Sequence, residues 1–298
     1  MKNYVQWIIK GLAMGAADVV PGVSGGTLAF ILGIYSRLLA AISAVNITAV
    51  KLLLSGRITQ LWRHIDGTFL LCLVTGILLS IFSLANVIGY LLEYRPVPLW
   101  AFFNGLILAS LPVLLRSVSW SAPRLMLCGA GVVFAVGIGM LAPVQLNPAP
   151  YMFFLAGAVA ICAMILPGIS GAFILLILGM YGPVMLAVTE LQLGTIILFA
   201  SGCLVGLLSF SKLLNWLLQH RHDATLALLI GVVIGALYRI WPWQYEQQML
   251  SPWQYQQQLG SHDLLLAVGS LVAGMMMITL LMNLERLFNP AAAVKAKE

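Results

Sequence analysis

The feature that most constrains the fold of this chain is an apolar segment that occurs twice and is interrupted in the same way each time. The run PGVSGGT at 21–27, followed by LAFILGIY, recurs as PGISGAF at 167–173, followed by ILLILGMY. Apolar composition alone would match one aliphatic residue with another, but it would not align Pro-Gly-x-Ser-Gly and then Leu-Gly-x-Tyr. The sequence therefore predicts two repeats, residues 1–146 and 147–298, the first of which carries an additional segment at 37–66.

The chain is too apolar to be a soluble domain. Of its 298 residues, 61% are hydrophobic and 8% are charged, and the mean hydropathy is +1.01, whereas soluble domains carry about 25% charged residues. Six stretches have the length of about 20 apolar residues that a membrane-spanning helix needs. They are 68–92, 98–117, 124–142, 194–218, 224–241 and 264–284. We therefore predict an all-α polytopic membrane protein, with no cleavable signal peptide before it.

Two further apolar regions, 4–35 and 150–181, are each interrupted by the repeated motif. Proline removes a backbone donor and glycine frees the backbone, so each region is expected to form two half-helices that meet at a break. The residues assigned to the helix breaks are Pro21, Gly22, Pro167 and Gly168. The alternative interpretation is an ordinary membrane crossing followed by a Pro-Gly loop.

The distribution of Lys and Arg indicates how these segments are oriented. Most of the basic residues that give the net charge of +6 lie in short loops between apolar stretches. This distribution is typical of a protein whose loop charges set its orientation in the membrane, and not of a nucleic-acid-binding protein. Lys2 and Lys10 precede the first break and Arg37 follows the first broken region, whereas the loops around the second, 143–149 and 182–193, contain no Lys or Arg. We therefore predict re-entrant hairpins from opposite faces. With three transmembrane helices in each half, the halves become inverted repeats, and both termini lie in the cytoplasm. The segment 37–66 is then expected on the cytoplasmic surface.

The two motifs also predict an anion-binding site. Half-helices that begin at Ser24 and Ser170 would direct free N–H groups and the positive end of a helix dipole into the protein. Glycines leave room for a ligand oxygen, and hydroxyl groups add donors. The candidate substrate-binding residues of the motifs are Ser24, Gly25, Gly26, Thr27, Ser170 and Gly171. The alternative is that these small residues only pack helices together.

Three charged side chains are further candidates. Asp18 lies in an apolar stretch, where an ionised carboxylate is costly, and its counterpart in the second copy is Met164. It is either a proton-coupling group or a cap for the N–H groups at the first break. Arg37 either meets a phosphate headgroup or follows the positive-inside pattern. Arg239, near the outer end of its helix, runs against that pattern and could meet an anion from outside.

Two long motifs resemble the polyprenyl-phosphate transporter (PopT) family over essentially the whole chain. They are GAADVVPGVSGGTLAFILGIY at 15–35 and ICAMILPGISGAFILLILGMYGP at 161–183, with a departure at Ala172, where Ser is more common in the family. The resemblance implies a transporter that returns undecaprenyl phosphate from the outer to the cytoplasmic leaflet, so that the lipid carrier of cell-wall synthesis is recycled. We expect a membrane lipid as substrate and no nucleic-acid partner, and a homodimer is left open.

Two other functions are left open by the same residues. Undecaprenyl-pyrophosphate phosphatases also combine inverted repeats with Pro-Gly-x-Ser, but they follow the Ser with Arg and carry a glutamate pair, whereas Gly25 and Gly171 follow the serines here. Phosphoryl transfer needs cationic stabilisation and a base or a metal ligand, so we expect no enzyme, no catalytic residue, no metal and no cofactor. A transporter of a small soluble anion would carry the same motifs.

Overall fold

The computed structural model describes residues 2–20, 23–141, 148–245, 248–260 and 263–288. The first half contains α1 (Lys2–Val19), α2 (Gly25–Ile31), α3 (Tyr35–Ser43), α4 (Ile47–Leu54), α5 (Ile58–His64), α6 (Gly67–Tyr94), α7 (Pro96–Arg116) and α8 (Ala122–Gly139). The second half contains α9 (Pro150–Ile165), α10 (Gly171–Ile177), α11 (Tyr181–Thr189), α12 (Leu193–His220), α13 (His222–Arg239), β1 (Gln244–Tyr245), β2 (Gln248–Met249), α14 (Pro252–Leu259) and α15 (Leu264–Phe288). The two short strands pair antiparallel, with Gln244 opposite Met249.

Six helices of the described residues are long and apolar enough to cross a membrane. They are α6, α7, α8, α12, α13 and α15, and each covers one of the six apolar stretches of the sequence. Prolines stand in the first turn of α7 and α8, where the missing N–H would have no helical partner in any case. The prediction of an all-helical polytopic membrane protein is confirmed.

After each break the chain forms a short helix and then bends sharply. The axes of α2 and α3 meet at 118°, and those of α10 and α11 meet at 109°. The bends contain Gly33 and Gly179, whose φ angles of 68° and 66° lie in the left-handed region that glycine adopts without strain. The short helices therefore end at Ile31 and Ile177, before the tyrosines at which the sequence prediction placed their ends.

Glycines allow close helix packing at equivalent positions of the two halves. α1 packs on α6, where Gly11 faces Leu73 and Gly76, and α9 packs on α12, where its counterpart Gly157 faces Phe199. A Cβ atom on either Gly11 or Gly157 would overlap the carbonyl oxygen of the facing residue. Such close approach is how helices associate in lipid, where apolar burial alone supplies little driving force.

The other two long helix pairs join the halves to each other. α7 packs on α15, and α8 packs on α13. Gly105 lies against Leu271, and its counterpart Gly231 lies against Cys128, again so closely that a Cβ atom would overlap a carbonyl oxygen. Since α7 and α13 are counterparts in the repeated sequence, each half contributes its middle long helix to a pair with the last helix of the other half. The two halves therefore share one core.

The first hairpin is held by charged side chains at both of its ends. α2 returns antiparallel to α1, because the Gly25 N–H meets Asp18 while the carbonyl oxygen of Leu32 meets Lys10. The Lys10 ammonium group donates to that oxygen at 2.8 Å, and the residue is only 8% exposed. Lys10 is thus buried within the hairpin. Its place in the sequence had suggested that it lies at the entrance of the hairpin, and this is not where the structure places it. A cation is favourable there because the free carbonyls at a helix C-terminus carry partial negative charge.

The segment 37–66 of the first half forms most of α3 and the whole of α4 and α5. The Asn46 side chain accepts the N–H of Thr48 at 2.9 Å and so caps α4. Ile47 and Leu54 remain exposed on this helix, next to Lys51. Apolar side chains beside basic ones are typical of helices that lie on a membrane surface. The position of this segment on the cytoplasmic surface stays a prediction.

Candidate functional site

At the first break, the carboxylate of Asp18 accepts a hydrogen bond from the first residue of α2. The N–H of Gly25 donates to Asp18 Oδ1 at 2.6 Å, and the N–H of Gly26 donates to Ser24 Oγ at 3.0 Å. Ser24 has the extended backbone, with φ −130° and ψ 135°, of a helix N-cap residue. Pro21 and Gly22, the predicted break residues, lie outside the described residues. The N–H groups at the start of α2 therefore already have acceptors, which is the capping arrangement weighed for Asp18.

The first break also packs directly on the second. The Ser24 hydroxyl donates to the carbonyl oxygen of Met164 at 2.9 Å, and the N–H of Gly168 donates to Thr27 Oγ1 at 2.7 Å. A Cβ atom on Gly26 would lie 2.7 Å from the carbonyl oxygen of Ile165. Ser24 and Thr27 are each 1% exposed. These motif residues thus join the two hairpins at their tips, and a direct contact with substrate stays a prediction for them.

The second break has the same motif but fewer internal partners. Gly168 has a φ of 89°, which only glycine adopts readily, and Pro167 before it is buried. Ser170 makes no side-chain cap to α10, and within the described chain its hydroxyl has no hydrogen-bond partner although the residue is only 6% exposed. Gly171 packs against the carbonyl oxygen of Ala160, where a Cβ atom would lie at 2.7 Å. The Ser170 hydroxyl oxygen is not among the fully buried polar atoms that lack a partner, so it remains accessible to a ligand or to water.

A small cavity of about 10 Å³ lies beside this second break. It is bounded by the break, α8, α10 and α13, and its lining residues are Ala135, Ile138, Gly139, Gly168, Ile169, Ser170, Phe173, Ala236 and Arg239. A neighbouring cavity of about 20 Å³ shares Gly139, Phe173 and Arg239 with it and is also lined by Leu141, Tyr238, Gln244 and Met249. The predicted candidates Ser170 and Arg239, which are far apart in sequence, therefore line the same cavity.

Arg239 is held in place at the end of α13 by packing and hydrogen bonds. Its guanidinium lies 4.4 Å from the ring centroid of Phe173, and its Nη1 donates to Gln244 Oε1 at 2.9 Å. The Gln244 amide in turn donates to the carbonyl oxygen of Arg239 at 2.7 Å. The Asn104 side chain donates to the carbonyl oxygen of Ile240, the next residue. Among the described residues the Nε of Arg239 has no hydrogen-bond partner although it is buried, so this N–H remains available for a ligand.

The cavity therefore combines a positive charge and unpaired donors in a partly dehydrated space. No carboxylate is among the described residues that line its two parts. A hydrogen bond to a charged group contributes about 1.5–3 kcal/mol, and more specific geometry comes from a guanidinium than from an ammonium group. The arrangement is suited to a phosphate or carboxylate group bound by Arg239 and Ser170.

Arg37 is not brought to either break. Its Nε pairs with Asp66 Oδ2 at 2.7 Å, and its guanidinium lies 4.4 Å from the ring centroids of both Trp7 and Phe69. Trp7 precedes Asp18 by three helical turns, which places Arg37 about 16 Å from the first break along α1. A headgroup contact at Arg37 would thus belong to the far end of the hairpin.

Sequence reasoning missed Phe173, Gln244 and Asn104. Phe173 could have been found from the sequence, because it stands in the repeated motif at the position that Thr27 has in the first copy. An aromatic ring in place of a polar motif residue indicates that this position makes different contacts in the second copy. Gln244 and Asn104 gave no such signal. The contact of Gln244 with Arg239 depends on the turn that follows α13, and that of Asn104 with Ile240 depends on how α7 meets the end of α13.

Comparison with known proteins agrees with the motif resemblance. A family model described as "VCA0040-like: Undecaprenyl phosphate translocase-like" matches residues 14–257. A protein of Vibrio cholerae serotype O1 named "Polyprenyl-phosphate transporter" is 50% identical over 243 residues, which cover 81% of this chain and 79% of the relative. A protein of the same name from Staphylococcus aureus is 36% identical over 254 residues, covering 79% and 85%.

No solved structure matched the chain. The family match spans both breaks and Arg239, and both relatives are covered over more than two thirds of their length. The chain belongs to the undecaprenyl phosphate translocase-like family.

Proposed function

We propose that this chain moves undecaprenyl phosphate from the outer to the cytoplasmic leaflet of a bacterial inner membrane and so recycles the lipid carrier of cell-wall synthesis. The names of two relatives support a polyprenyl phosphate as the cargo. The observation that carries the proposal is the cavity that Arg239 and Ser170 both line. A phosphate headgroup needs such donors at membrane depth, because an unpaired charge is costly there.

The proposed architecture is two inverted repeats, residues 1–146 and 147–298, each with one re-entrant hairpin and three transmembrane helices. The antiparallel return of α2 along α1 and the contact between the two breaks support hairpins that meet at their tips. The equivalent glycines in the α1–α6 and α9–α12 pairs support the repeat. Such paired hairpins place a substrate site at the interface of the repeats, as other transporters do.

The proposed orientation has both termini in the cytoplasm. Basic residues concentrate on that side in membrane proteins, and the segment 37–66, with Lys51, Arg57 and Arg63, is assigned to it. α13 then runs outward, so Arg239 and its cavity open towards the outer leaflet. This is the side from which a carrier lipid would be collected after cell-wall assembly. A homodimer stays a prediction.

Asp18 is the proposed proton-coupling residue. In the structure its carboxylate accepts the N–H of Gly25 at 2.6 Å, so its protonation would weaken the cap at the first break. An Asp18→Asn variant keeps an oxygen that can accept this N–H but cannot take up a proton. We expect Asp18→Asn to fold normally and to transport at a rate that no longer depends on external pH, whereas Asp18→Ala loses the cap as well. Transport by Asp18→Asn that matched the wild type at every external pH would contradict the coupling.

The alternative of an undecaprenyl-pyrophosphate phosphatase is disfavoured by the composition of the cavity. The part of its lining that the structure describes offers Arg239 and Ser170 but no carboxylate or histidine to act as a base or a metal ligand. The serines of both motifs are followed by glycine, not by the arginine of the phosphatases. A site of this kind can bind and release a phosphate group, and phosphoryl transfer has no evident proton acceptor in it.

The function is tested with purified protein in lipid vesicles that contain undecaprenyl phosphate. An impermeant headgroup-binding probe reports the fraction of lipid in the outer leaflet, and we expect this fraction to change over time only with the protein present. Arg239→Gln should remove the change. Uptake of labelled inorganic phosphate without lipid movement would identify a soluble-anion transporter. Phosphate release from undecaprenyl pyrophosphate would identify an enzyme.

A further inference from the structure

The cavity beside the second break has one polar wall and one apolar wall. Arg239, Gln244 and Ser170 supply its hydrogen-bonding groups. The opposite wall is the outer end of α8, which contributes Ala135, Ile138, Gly139 and, just beyond the helix, Leu141. A site for a small soluble anion would gain nothing from an apolar wall, whereas an amphiphile with a phosphate head and a hydrocarbon tail needs both. The two walls thus favour a lipid ligand.

α8 is a thin barrier between this cavity and the surrounding lipid. Among the described helices it packs extensively only on α13, through the side that carries Cys128 and Gly131. Its other side is exposed, with Val133 at 73% and Phe134 at 50% of their full surface. At the outer end, Gly137 has open space where a Cβ atom would stand, and a Cβ atom on Gly139 would meet the ring of Tyr238 and the Cβ atom of Arg239 at ordinary contact distances. The part of the wall nearest to Arg239 therefore has few side-chain atoms.

The size of the substrate requires an opening somewhere in this wall. The two parts of the cavity measure only about 20 and 10 Å³, each about the space of one water molecule, so a phosphate headgroup enters only where the wall parts. A chain of many isoprene units is far larger than that and must remain in the hydrocarbon of the membrane. On its inner side the cavity is closed by the break itself, where Ile169 and Ile174 pack with Ala163 and Val232.

We infer that the isoprenoid tail leaves the cavity between the outer end of α8, at Ile138–Leu141, and Phe173 of α10, while the headgroup is held by Arg239 and Ser170. This tail site rests on the proposed function, since it assigns a place to the hydrocarbon part of the same lipid. Gly139 borders both parts of the cavity. A large side chain there obstructs the proposed path of the tail, and it replaces neither Arg239 nor Ser170.

The test compares two tryptophan substitutions on the same helix. Gly139→Trp places an indole in the proposed opening, and Gly129→Trp places one on an exposed part of α8 where a Cβ atom meets nothing within 4 Å. Binding to purified protein is measured for undecaprenyl phosphate and for a short isoprenyl phosphate. We expect Gly139→Trp to weaken binding of the long lipid at least tenfold and to keep the short one, with Gly129→Trp like the wild type for both. Unchanged binding of the long lipid by Gly139→Trp would overturn the tail site, as would equal loss of both ligands.

A second measurement does not depend on a bulky residue being tolerated. A photo-crosslinking amino acid is introduced at Leu141 or at Val133, two exposed positions of which only the first borders the cavity. We expect labelled undecaprenyl phosphate to crosslink at 141 and to be displaced by unlabelled lipid, whereas crosslinking at 133 should not respond to competition. Equal behaviour at the two positions contradicts the tail site. If wild-type protein binds neither phosphate lipid, the proposed function itself fails.

Discussion

At the first break the carboxylate of Asp18 meets the N–H of Gly25, whereas at the second break the equivalent position is Met164 and the adjoining cavity holds Arg239. The difference extends to the far end of each hairpin. Lys10 donates to the carbonyl oxygen of Leu32 in the first, and its counterpart in the second is Ala156. α2 is therefore stabilised at each end by a side chain whose charge is opposite to that end of the helix dipole, whereas α10 has uncharged residues at both counterpart positions.

This comparison teaches that a repeated motif need not have a repeated role. An acid at a helix N-terminus and a base at its C-terminus each stabilise the helix dipole, so α2 already contains the partners that an anionic ligand would otherwise provide. At α10 the hydroxyl of Ser170 makes no cap and the Nε–H of Arg239 has no partner among the described residues, so both remain available to bind a ligand. We expect the first hairpin to support the tip contact and the second to receive the phosphate.

The largest expected effect is on folding, at Gly26. A Cβ atom there would lie 2.7 and 2.8 Å from two carbonyl oxygens of the other hairpin, and backbone atoms cannot move aside as a side chain can. Overpacking in a well-packed site costs about 1–3 kcal/mol or more, so Gly26→Val should lower the midpoint of thermal unfolding strongly. Its counterpart Ala172 is exposed, and Ala172→Val should leave the midpoint nearly unchanged. Equal effects of the two substitutions would mean that the tips do not meet as described.

The second expected effect is on binding, at Arg239. Arg239→Gln removes the charge from the cavity and should weaken binding of undecaprenyl phosphate about 100-fold, which corresponds to about 2.7 kcal/mol. Arg239→Lys retains the charge but loses the planar donor set held by Phe173 and Gln244, so an intermediate loss is expected. Calorimetric or fluorescence titration in nanodiscs measures both. Wild-type affinity in Arg239→Gln would show that the headgroup binds elsewhere.

The smallest effects come from the two serines, and they should differ in kind. Ser24→Ala removes a cap and the bond to the carbonyl oxygen of Met164, and it should destabilise the fold by about 1–2 kcal/mol with little change in phosphate affinity. Ser170→Ala removes a hydroxyl that makes no cap and should weaken phosphate binding several-fold at unchanged stability. Both variants are measured by thermal unfolding and by titration. The opposite pattern would exchange the roles assigned to the two breaks.

The sequence predicted the six long helices and the positions of both breaks, because these depend on apolar length and on local Pro-Gly chemistry. It also predicted Arg239 as a candidate, since a basic residue at the outer end of a helix contradicts the usual charge distribution. It left both readings of Asp18 open, and the acceptor role at Gly25 follows only from how α2 turns back along α1. The bond from Ser24 to Met164 joins residues 140 positions apart, and no periodicity in the sequence specifies such a contact.

The exchange of helices between the halves has a consequence for how the chain is made. α7 is synthesised early, but the helix that covers Gly105 is α15, which is synthesised after all the other helices described. The glycine face of α7 therefore stays uncovered in the membrane until α15 has been inserted. Contacts between segments so distant in sequence slow folding. Truncation before α15 should leave a chain that inserts into the membrane but is recognised by quality-control proteases, even though every residue of both breaks is present.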